Sequence, residues 1–369
     1  MSWRKRIHIQ ERDHQFIFKK SVAGDFSADD AGKYAGHARE RTIVSMANAR
    51  KKKTNNKIVR QPSASNATHA QLPPDAALKK LLQIFLQEDL GTAGDVTSNA
   101  MIDARRQATA LIVARTPGVL AGTRLVQLLS GMVKPALRVH CAARDGEHVR
   151  QGQEVFRISG SLRGILLVER TMLNVLGRLS GVATLTNQFA GRVNTTNARI
   201  RDTRKTTPGL RALEKYAVVC GGGVSHRLGL FDAFLAKDNH VAGLNPRRMA
   251  LEIQRAIGVA RRTHAIKFAM VEVDTLDQLD ALLRLPHGVI DAILLDNMGV
   301  TTLRKAVALR NQLAPRVQLE ASGGVTLVTV AAIAKTGVDF ISVGAITHSA
   351  AQIDFAMDIQ TAPRKRGRV

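Results

Sequence analysis

From residue 199 onward the chain alternates short apolar runs, each closing on polar or small residues, with helical segments. Four run ends recur every 24 residues: Glu272 in MVEVD, Asp296 in ILLDN, Glu320 in QLEAS and Gly344 in SVGAI. That length holds a strand, a short loop, a helix and a return loop, which predicts repeating βα units and a parallel sheet. The helices between carry start signals. Asn245-Pro246 opens one, and Thr275-x-x-Gln278 forms a capping box for another. Strand ends near Arg204 and Lys237 raise the number of strands to six, where a closed βα barrel needs eight. The pattern predicts an incomplete parallel α/β barrel, with a doubly wound sheet as the alternative.

Upstream the rhythm differs. Pro73-Pro74 precedes Asp75, read as the N-cap of a helix through about Glu88, with Leu78, Leu81, Leu82, Phe85 and Leu86 on one face. EDLGTAGDVTS then reads as a Gly-interrupted loop. Strand-like runs follow at 108–115, 137–142 and 153–159, with a helix near 123–132 between the first two. Strands and helices without strict alternation predict a small α/β sandwich. A long helix runs from about Leu162 to Leu179 on a stripe of Ile165, Leu166, Leu173, Leu176 and Leu179. Arg170 lies off that stripe and by itself reads as an exposed helix charge.

Charge changes the picture at the two ends. The chain has 369 residues and a net charge of +24. Residues 1–71 hold 15 Lys/Arg against 6 Asp/Glu in a polar, aperiodic stretch that reads as a disordered basic leader. Arg364, Lys365, Arg366 and Arg368 form a basic tail. Such ends could attract nucleic acid or anionic lipid. Aromatic content of 4%, with no aromatic-interleaved basic repeat and no zinc or helix-turn-helix spacing, argues against a nucleic-acid-binding protein. No apolar run reaches membrane-spanning length, and the first residues lack a secretory signal. Two cysteines, Cys141 and Cys220, make no disulfide framework and suggest the cytoplasm.

The candidate chemistry gathers at the strand ends, where a βα barrel collects its functional loops. Arg204 and Lys205, His226 and Arg227 after a glycine triplet, and Lys237 supply cations. Glu272, Asp296 and Glu320 supply carboxylates, and Ser322-Gly323-Gly324 and Val343-Gly344-Ala345 supply loops read as leading into helices that favour phosphate. Taken singly each has another reading. Lys237 could be a Schiff-base lysine of an aldolase-like barrel, and Glu320 could belong to a structural salt bridge. Taken together they suit a polyanionic substrate with a divalent metal.

DTRKTTPGLR at 202–211, EKYAVVCGGG at 214–223, HRLGLFDAFLAKDNH at 226–240 and LEASGGV at 319–325 resemble the quinolinate phosphoribosyltransferase family, supported by ERTMLN at 169–174 and ILLDNM at 293–298. The resemblance covers about residues 75–358. It implies an N-terminal α/β sandwich domain followed by an incomplete parallel α/β barrel, with the active site formed in a homodimer or a higher oligomer. The expected division is a leader at 1–71, a sandwich at 72–180, a barrel at 181–345, and a C-terminal segment at 346–369 that returns to the sandwich and ends in the basic tail.

Position by position, the resemblance implies that Arg170 enters the neighbouring subunit's site. Thr203, Arg204, Lys205, His226, Arg227 and Lys237 would line the site for quinolinate and phosphoribosyl diphosphate. Glu272 and Asp296 would stand near the ribose hydroxyls and Mg²⁺. Ser322, Gly323, Val343 and Gly344 would bind the 5′-phosphate, with His348 just beyond. Lys205, Lys237, Glu272 and Asp296 are the implied catalytic set. Ser225 stands where family members often have Asn. The implied reaction gives nicotinate mononucleotide, pyrophosphate and CO₂. A related transferase acting on nicotinate without decarboxylation is the nearest rival.

Overall fold

Helix α1 (Asp75–Leu90) forms because Leu78, Leu82 and Leu86 recur four apart and bury together. Its N-cap is Pro74, one residue before the expected Asp75. The Pro74 carbonyl takes the amides of Ala77 and Leu78, and Asp75 instead pairs with Arg124. The structure, a computed structural model, describes residues 71–360. The basic tail, and the leader up to residue 70, lie outside the described residues. After α1, α2 (Val96–Met101) begins within the end of the stretch expected to be a loop. The Asp95 carboxylate caps it by accepting from Ser98 N at 2.9 Å, a six-residue helix too short to show a period.

The sandwich is built on β1 (Gln107–Ala114), β3 (Arg138–Cys141) and β5 (Glu154–Ser161), antiparallel in the order β1-β5-β3. Ala110, Ile112 and Ala114 alternate inward from β1, as period 2 requires. Between them come the two-residue strands β2 (Gly118–Val119) and β4 (His148–Val149), which pair only with each other, and α3 (Thr123–Met132).

Helix α4 (Leu162–Val193) is 32 residues long, roughly 48 Å at the α-helical rise. The sequence suggested an end at Leu179, but Gly177 and Gly181 are not breakers here. They clear space for the chain at 351–353: a Cβ on Gly181 would lie 2.1 Å from the Ala351 carbonyl oxygen. The division expected at residue 180 therefore falls inside one unbroken helix, buried along its length from Ile165 to Val193.

The rest is the βα succession: β6 (Arg199–Arg201), α5 (Arg211–Cys220), β7 (Phe234–Ala236), α6 (Asp238–Val241), α7 (Pro246–Thr263), β8 (Ala269–Val273), α8 (Leu276–Leu283), β9 (Ala292–Asp296), α9 (Val300–Leu313), β10 (Gln318–Ser322), α10 (Val330–Ala334), β11 (Phe340–Ser342) and α11 (Ala345–His348). The Asn245 cap with Pro246 at the start of α7 and the Thr275/Gln278 capping box of α8 are both present. All six strands are parallel, in the order β6-β11-β10-β9-β8-β7. The order follows the chain, with the first strand joined to the last, so there is no reversal point of a doubly wound sheet. The ring stays open between β6 and β7, where only Val224 bridges to Arg201. The outer face joins the main core through Val271, Ile293, Leu319 and Ile341. The inner face holds a separate small cluster of Met270, Ala292 and Leu294. This is an incomplete barrel.

After α11 the chain returns to the sandwich. Strand β12 (Phe355–Gln360) pairs antiparallel with β1, from Thr109 opposite Gln360 to Ala114 opposite Phe355, and completes a four-stranded sheet. Among the described residues no helix is long and apolar enough to cross a membrane.

Candidate active site

Strand register fixes which residues face the inside of the open barrel. Glu272 pairs with Leu294, Leu294 with Glu320, and Glu320 with Phe340. Two residues further along, on the same face, Asp296 pairs with Ser322, and Ser342 with Arg201. Glu272, Asp296, Glu320, Ser322, Ser342 and Arg201 therefore share the inner, C-terminal end, with Lys237 just past β7. The loops after β6 and α5 add Thr203, Arg204 and Lys205, then His226 and Arg227.

Two arginines carry the electrostatic argument. Arg227 is only 6% exposed, yet its guanidinium has no hydrogen-bonding or ion-pair partner among the described residues. Arg204 is half-buried, and its Nε is a buried donor without an acceptor. Burial, and then the positive charge of Arg204 close by, hold the Arg227 pKa below its ordinary value. Two guanidiniums close together, one largely buried and one half-buried, and neither with a partner among the described residues, form a lining that an anion would neutralise, and each can grip a carboxylate or phosphate with a fork of N–H groups.

His226 contributes no positive charge to this lining. Its Nδ1 accepts from Arg227 N at 2.7 Å, so the proton belongs on Nε2, which faces Glu320 Oε1 at 3.6 Å. Burial lowers its pKa to about 4, against the opposing pull of Glu320, and the ring is neutral at pH 7. Glu320 itself is fully buried. Arg201 Nη1 donates to it at 2.6 Å and the Ser342 hydroxyl also donates to it, so of its two readings the structural salt bridge is the observed one.

The acidic half is simpler. Glu272 is buried and its carboxylate pairs with the Lys237 ammonium, whose side chain is 45% exposed. An exposed, ion-paired lysine lacks the desolvation that makes a Schiff-base nucleophile, which removes the aldolase-like alternative. Asp296 accepts from Asn297 Nδ2 at 2.7 Å. Among the described residues no group of three or more His, Cys, Asp or Glu is arranged to hold a metal. A pair of carboxylates on neighbouring strands nevertheless suits Mg²⁺, which takes one or two carboxylates and completes its shell with water and substrate phosphates.

The glycine loops differ from expectation. Neither runs straight into a substantial helix: α10 begins only at Val330 and has five residues, and α11 has four. Their dipoles are correspondingly slight. What remains is close backbone approach. Gly323 has φ +95°, and a Cβ there would lie 2.0 Å from Asn297 Oδ1. Val343 has its side chain in the outer core and donates its N–H to the Arg201 carbonyl at 2.9 Å. Lys205 is exposed, with its carbonyl held by Thr347 Oγ1 at 2.7 Å and its N–H by Thr203 Oγ1 at 3.0 Å. Arg170 stands on the exposed side of α4 and makes no hydrogen bond or ion pair among the described residues. His348 is exposed, with its Nδ1 2.6 Å from Ser349 Oγ.

The sequence patterns assigned no role to Arg201, Asp202, Lys215 or Ser342, of which Arg201 and Ser342 stand at the same level as Asp296. One signal was available. Arg199-Ile200-Arg201 alternates charge and apolar residue along a strand whose apolar side must face the core, which points Arg201 into the barrel. A concavity of about 590 Å³ lies between α1, α4 and α5, with Arg178 and Thr207 in its wall. It contains none of Arg227, Lys237, Glu272 or Asp296, so the convergent charges mark the rim as the site.

Comparison with known proteins agrees across both layers. Residues 95–180 match the N-terminal domain of quinolinate phosphoribosyl transferase, and residues 182–358 its C-terminal domain. The chain is 43% identical over 285 residues to the nicotinate-nucleotide pyrophosphorylase [carboxylating] of Mycobacterium leprae (strain TN), covering 77% of this chain and 97% of that one. It is 37% identical over 300 residues to the chloroplastic enzyme of that name from Arabidopsis thaliana, covering 78% and 84%. The structure of the nicotinate-nucleotide pyrophosphorylase from Francisella tularensis superposes with a TM-score of 0.71 at 33% identity, over 80% of this chain and all of that one. An open six-stranded barrel, a sandwich closed by the C-terminal strand and these matches make one assignment: the chain belongs to the quinolinate phosphoribosyltransferase family.

Proposed function

We propose that the chain is a carboxylating nicotinate-nucleotide pyrophosphorylase. It transfers phosphoribosyl from phosphoribosyl diphosphate to quinolinate, releasing pyrophosphate and CO₂ and leaving nicotinate mononucleotide. One observation carries the reading: Arg227, largely buried, and Arg204, half-buried with its Nε enclosed, stand close together without a partner among the described residues, a lining that calls for a substrate with more than one anionic group.

In this mechanism Arg204 and Arg227 hold the quinolinate carboxylates, and Lys205 and Lys237 face the diphosphate. Thr203 steadies the Lys205 loop. Glu272 and Asp296 would hold Mg²⁺, and the metal, when bound, would supply positive charge against the leaving diphosphate. The carboxylates of Glu272 and Asp296 favour the positive charge that builds on the ribose as the C1–oxygen bond breaks. The quinolinate nitrogen then bonds to C1. The pyridinium so formed accepts the electron pair as the adjacent C–CO₂ bond breaks, and that carbon takes up a proton. No protein nucleophile is needed. The backbone at Ser322, Gly323 and Gly344 suits the 5′-phosphate, while the Val343 amide is already engaged.

Arg170, exposed and unpartnered among the described residues, fits a role in the neighbouring site of a homodimer. The free thiols of Cys141 and Cys220 fit a reducing cytoplasm. The test is incubation with quinolinate, phosphoribosyl diphosphate and Mg²⁺, following nicotinate mononucleotide and CO₂ together. Consumption of nicotinate instead, with no CO₂ from quinolinate, would overturn the reading in favour of a non-decarboxylating transferase.

A further inference from the structure

Beneath the rim lies a buried ion pair that the reaction itself does not use. Asp202 follows β6 and Lys215 lies on α5, and both side chains are fully buried, with Lys215 Nζ 2.5 Å from Asp202 Oδ1. Buried pairs of this kind add little stability over an apolar pair of the same shape, so their geometry has to account for them. The geometry here is directed at the backbone of one residue. Asp202 Oδ1 accepts from His226 N at 2.8 Å, and Lys215 Nζ donates to the His226 carbonyl at 3.4 Å. The pair grips residue 226 by both its backbone polar groups. Ser225 adds a hydroxyl that donates to the His226 carbonyl at 3.0 Å and stands 3.5 Å from Asp202 Oδ2. Thus fixed, the turn brings Arg227 N onto His226 Nδ1 and the ring Nε2 toward Glu320.

We infer that Asp202, held by Lys215, is a positioning residue for quinolinate recognition. It fixes the 225–227 turn, and with it the His226 tautomer and the direction of the Arg227 guanidinium. The inference rests on the proposed role of Arg227 in binding a substrate carboxylate.

Two charge-free double variants test it, since neither leaves a lone buried charge. Asp202→Asn with Lys215→Met keeps an oxygen to accept from His226 N; Asp202→Ala with Lys215→Met does not. The first reading is the His226 tautomer in full-length enzyme labelled with ¹⁵N-histidine, at pH 7 and without substrate. The Asn variant should keep the single Nε2–H form, and the Ala variant should show a mixture. The second reading is kinetic. The Ala variant should raise the KM for quinolinate about tenfold over the Asn variant, with the KM for phosphoribosyl diphosphate unchanged. Equal tautomers and equal KM values in the two variants would overturn the inference. So would a rise in both KM values alike, or a fall in kcat alone. An Ala variant that fails to fold while the Asn variant folds would overturn it too, since the carboxylate would then serve the fold. The tautomer is read on free enzyme, so the contrast stands even if the wild type proves not to turn over quinolinate.

Discussion

His226 lies edge-on to Phe268 and close to the Glu320 carboxylate, and burial keeps its pKa near 4, below its ordinary 6.5. The sign of the resulting pH effect is fixed by linkage. Above pH 6.5 the ring is neutral in both folded and unfolded chains and its stabilising contribution is complete. As pH falls toward 4 the unfolded chain takes up the proton and the folded one does not, so stability is lost over that window. The loss at this one group is on the order of 3 kcal/mol. Denaturation midpoints from pH 7 to 4 should therefore slope less steeply for His226→Gln than for wild type; parallel slopes would show that His226 titrates normally when folded. The two halves of the rim should separate kinetically. Arg227→Ala removes a charge-assisted contact made throughout the reaction and should raise the quinolinate KM about tenfold or more. Asp296→Asn keeps size and loses charge, and should lower kcat by about 10²-fold with quinolinate affinity little changed by calorimetry. The rim cations and carboxylates were legible in sequence because they stand at run ends. The neutrality of His226 was not, because it depends on Phe268, Glu320 and the Arg227 amide meeting in space.

At the scale of elements, α4 ties sandwich to barrel, and it does so through glycine. Gly177 and Gly181 are one helical turn apart, and backbone from 351–353 lies against them: a Cβ would meet the Ile353 carbonyl oxygen at 2.9 Å and that of Ala351 at 2.1 Å. Neither obstacle is a flexible side-chain tip. Gly181→Ala should accordingly destabilise by about 2 kcal/mol or more through overpacking. Gly191, in the same helix, has nothing within 4 Å of its hypothetical Cβ. There the substitution should stabilise by up to about 1 kcal/mol, because Ala loses less backbone freedom on folding. Urea denaturation of both variants gives the comparison, and equal effects would refute the close-contact account. These glycines explain why the end of α4 was misplaced in sequence, where a glycine reads first as a terminator. The barrel strands were legible because each βα unit repeats at one spacing. The β2–β4 ribbon was not, and the return of β12 to the sandwich was expected only through the family resemblance, since short strands are defined by partners distant in the chain: β12 has its partner in β1.

At the scale of the whole molecule, the family match begins at residue 95, and the described fold begins with α1 at Asp75. Removing residues 1–71 should leave turnover within about twofold of the full chain, since both family matches lie wholly downstream of them; loss of activity or folding would make that segment part of the working enzyme. The remaining question at this scale is whether one chain makes a whole site. Arg170 is an exposed charged residue on α4 without a partner among the described residues, while the rim holds Lys237 paired to Glu272. In a two-fold dimer, a residue that leaves its own chain to serve its partner's site is matched by the partner's copy serving its own. Arg170→Ala and Lys237→Ala homodimers would then each carry two damaged sites, for different reasons. In a mixed dimer the Arg170→Ala chain contributes an intact rim, and the Lys237→Ala chain contributes the missing arginine to it. The other site carries both defects. Random exchange in an equal mixture makes half the dimers hybrid, each with one good site in two, so activity should recover to about a quarter of wild type. Full-length variants mixed under conditions shown by tagged subunits to permit exchange provide the measurement. If exchange occurs and no activity returns, Arg170 acts within its own chain or not at all in the reaction.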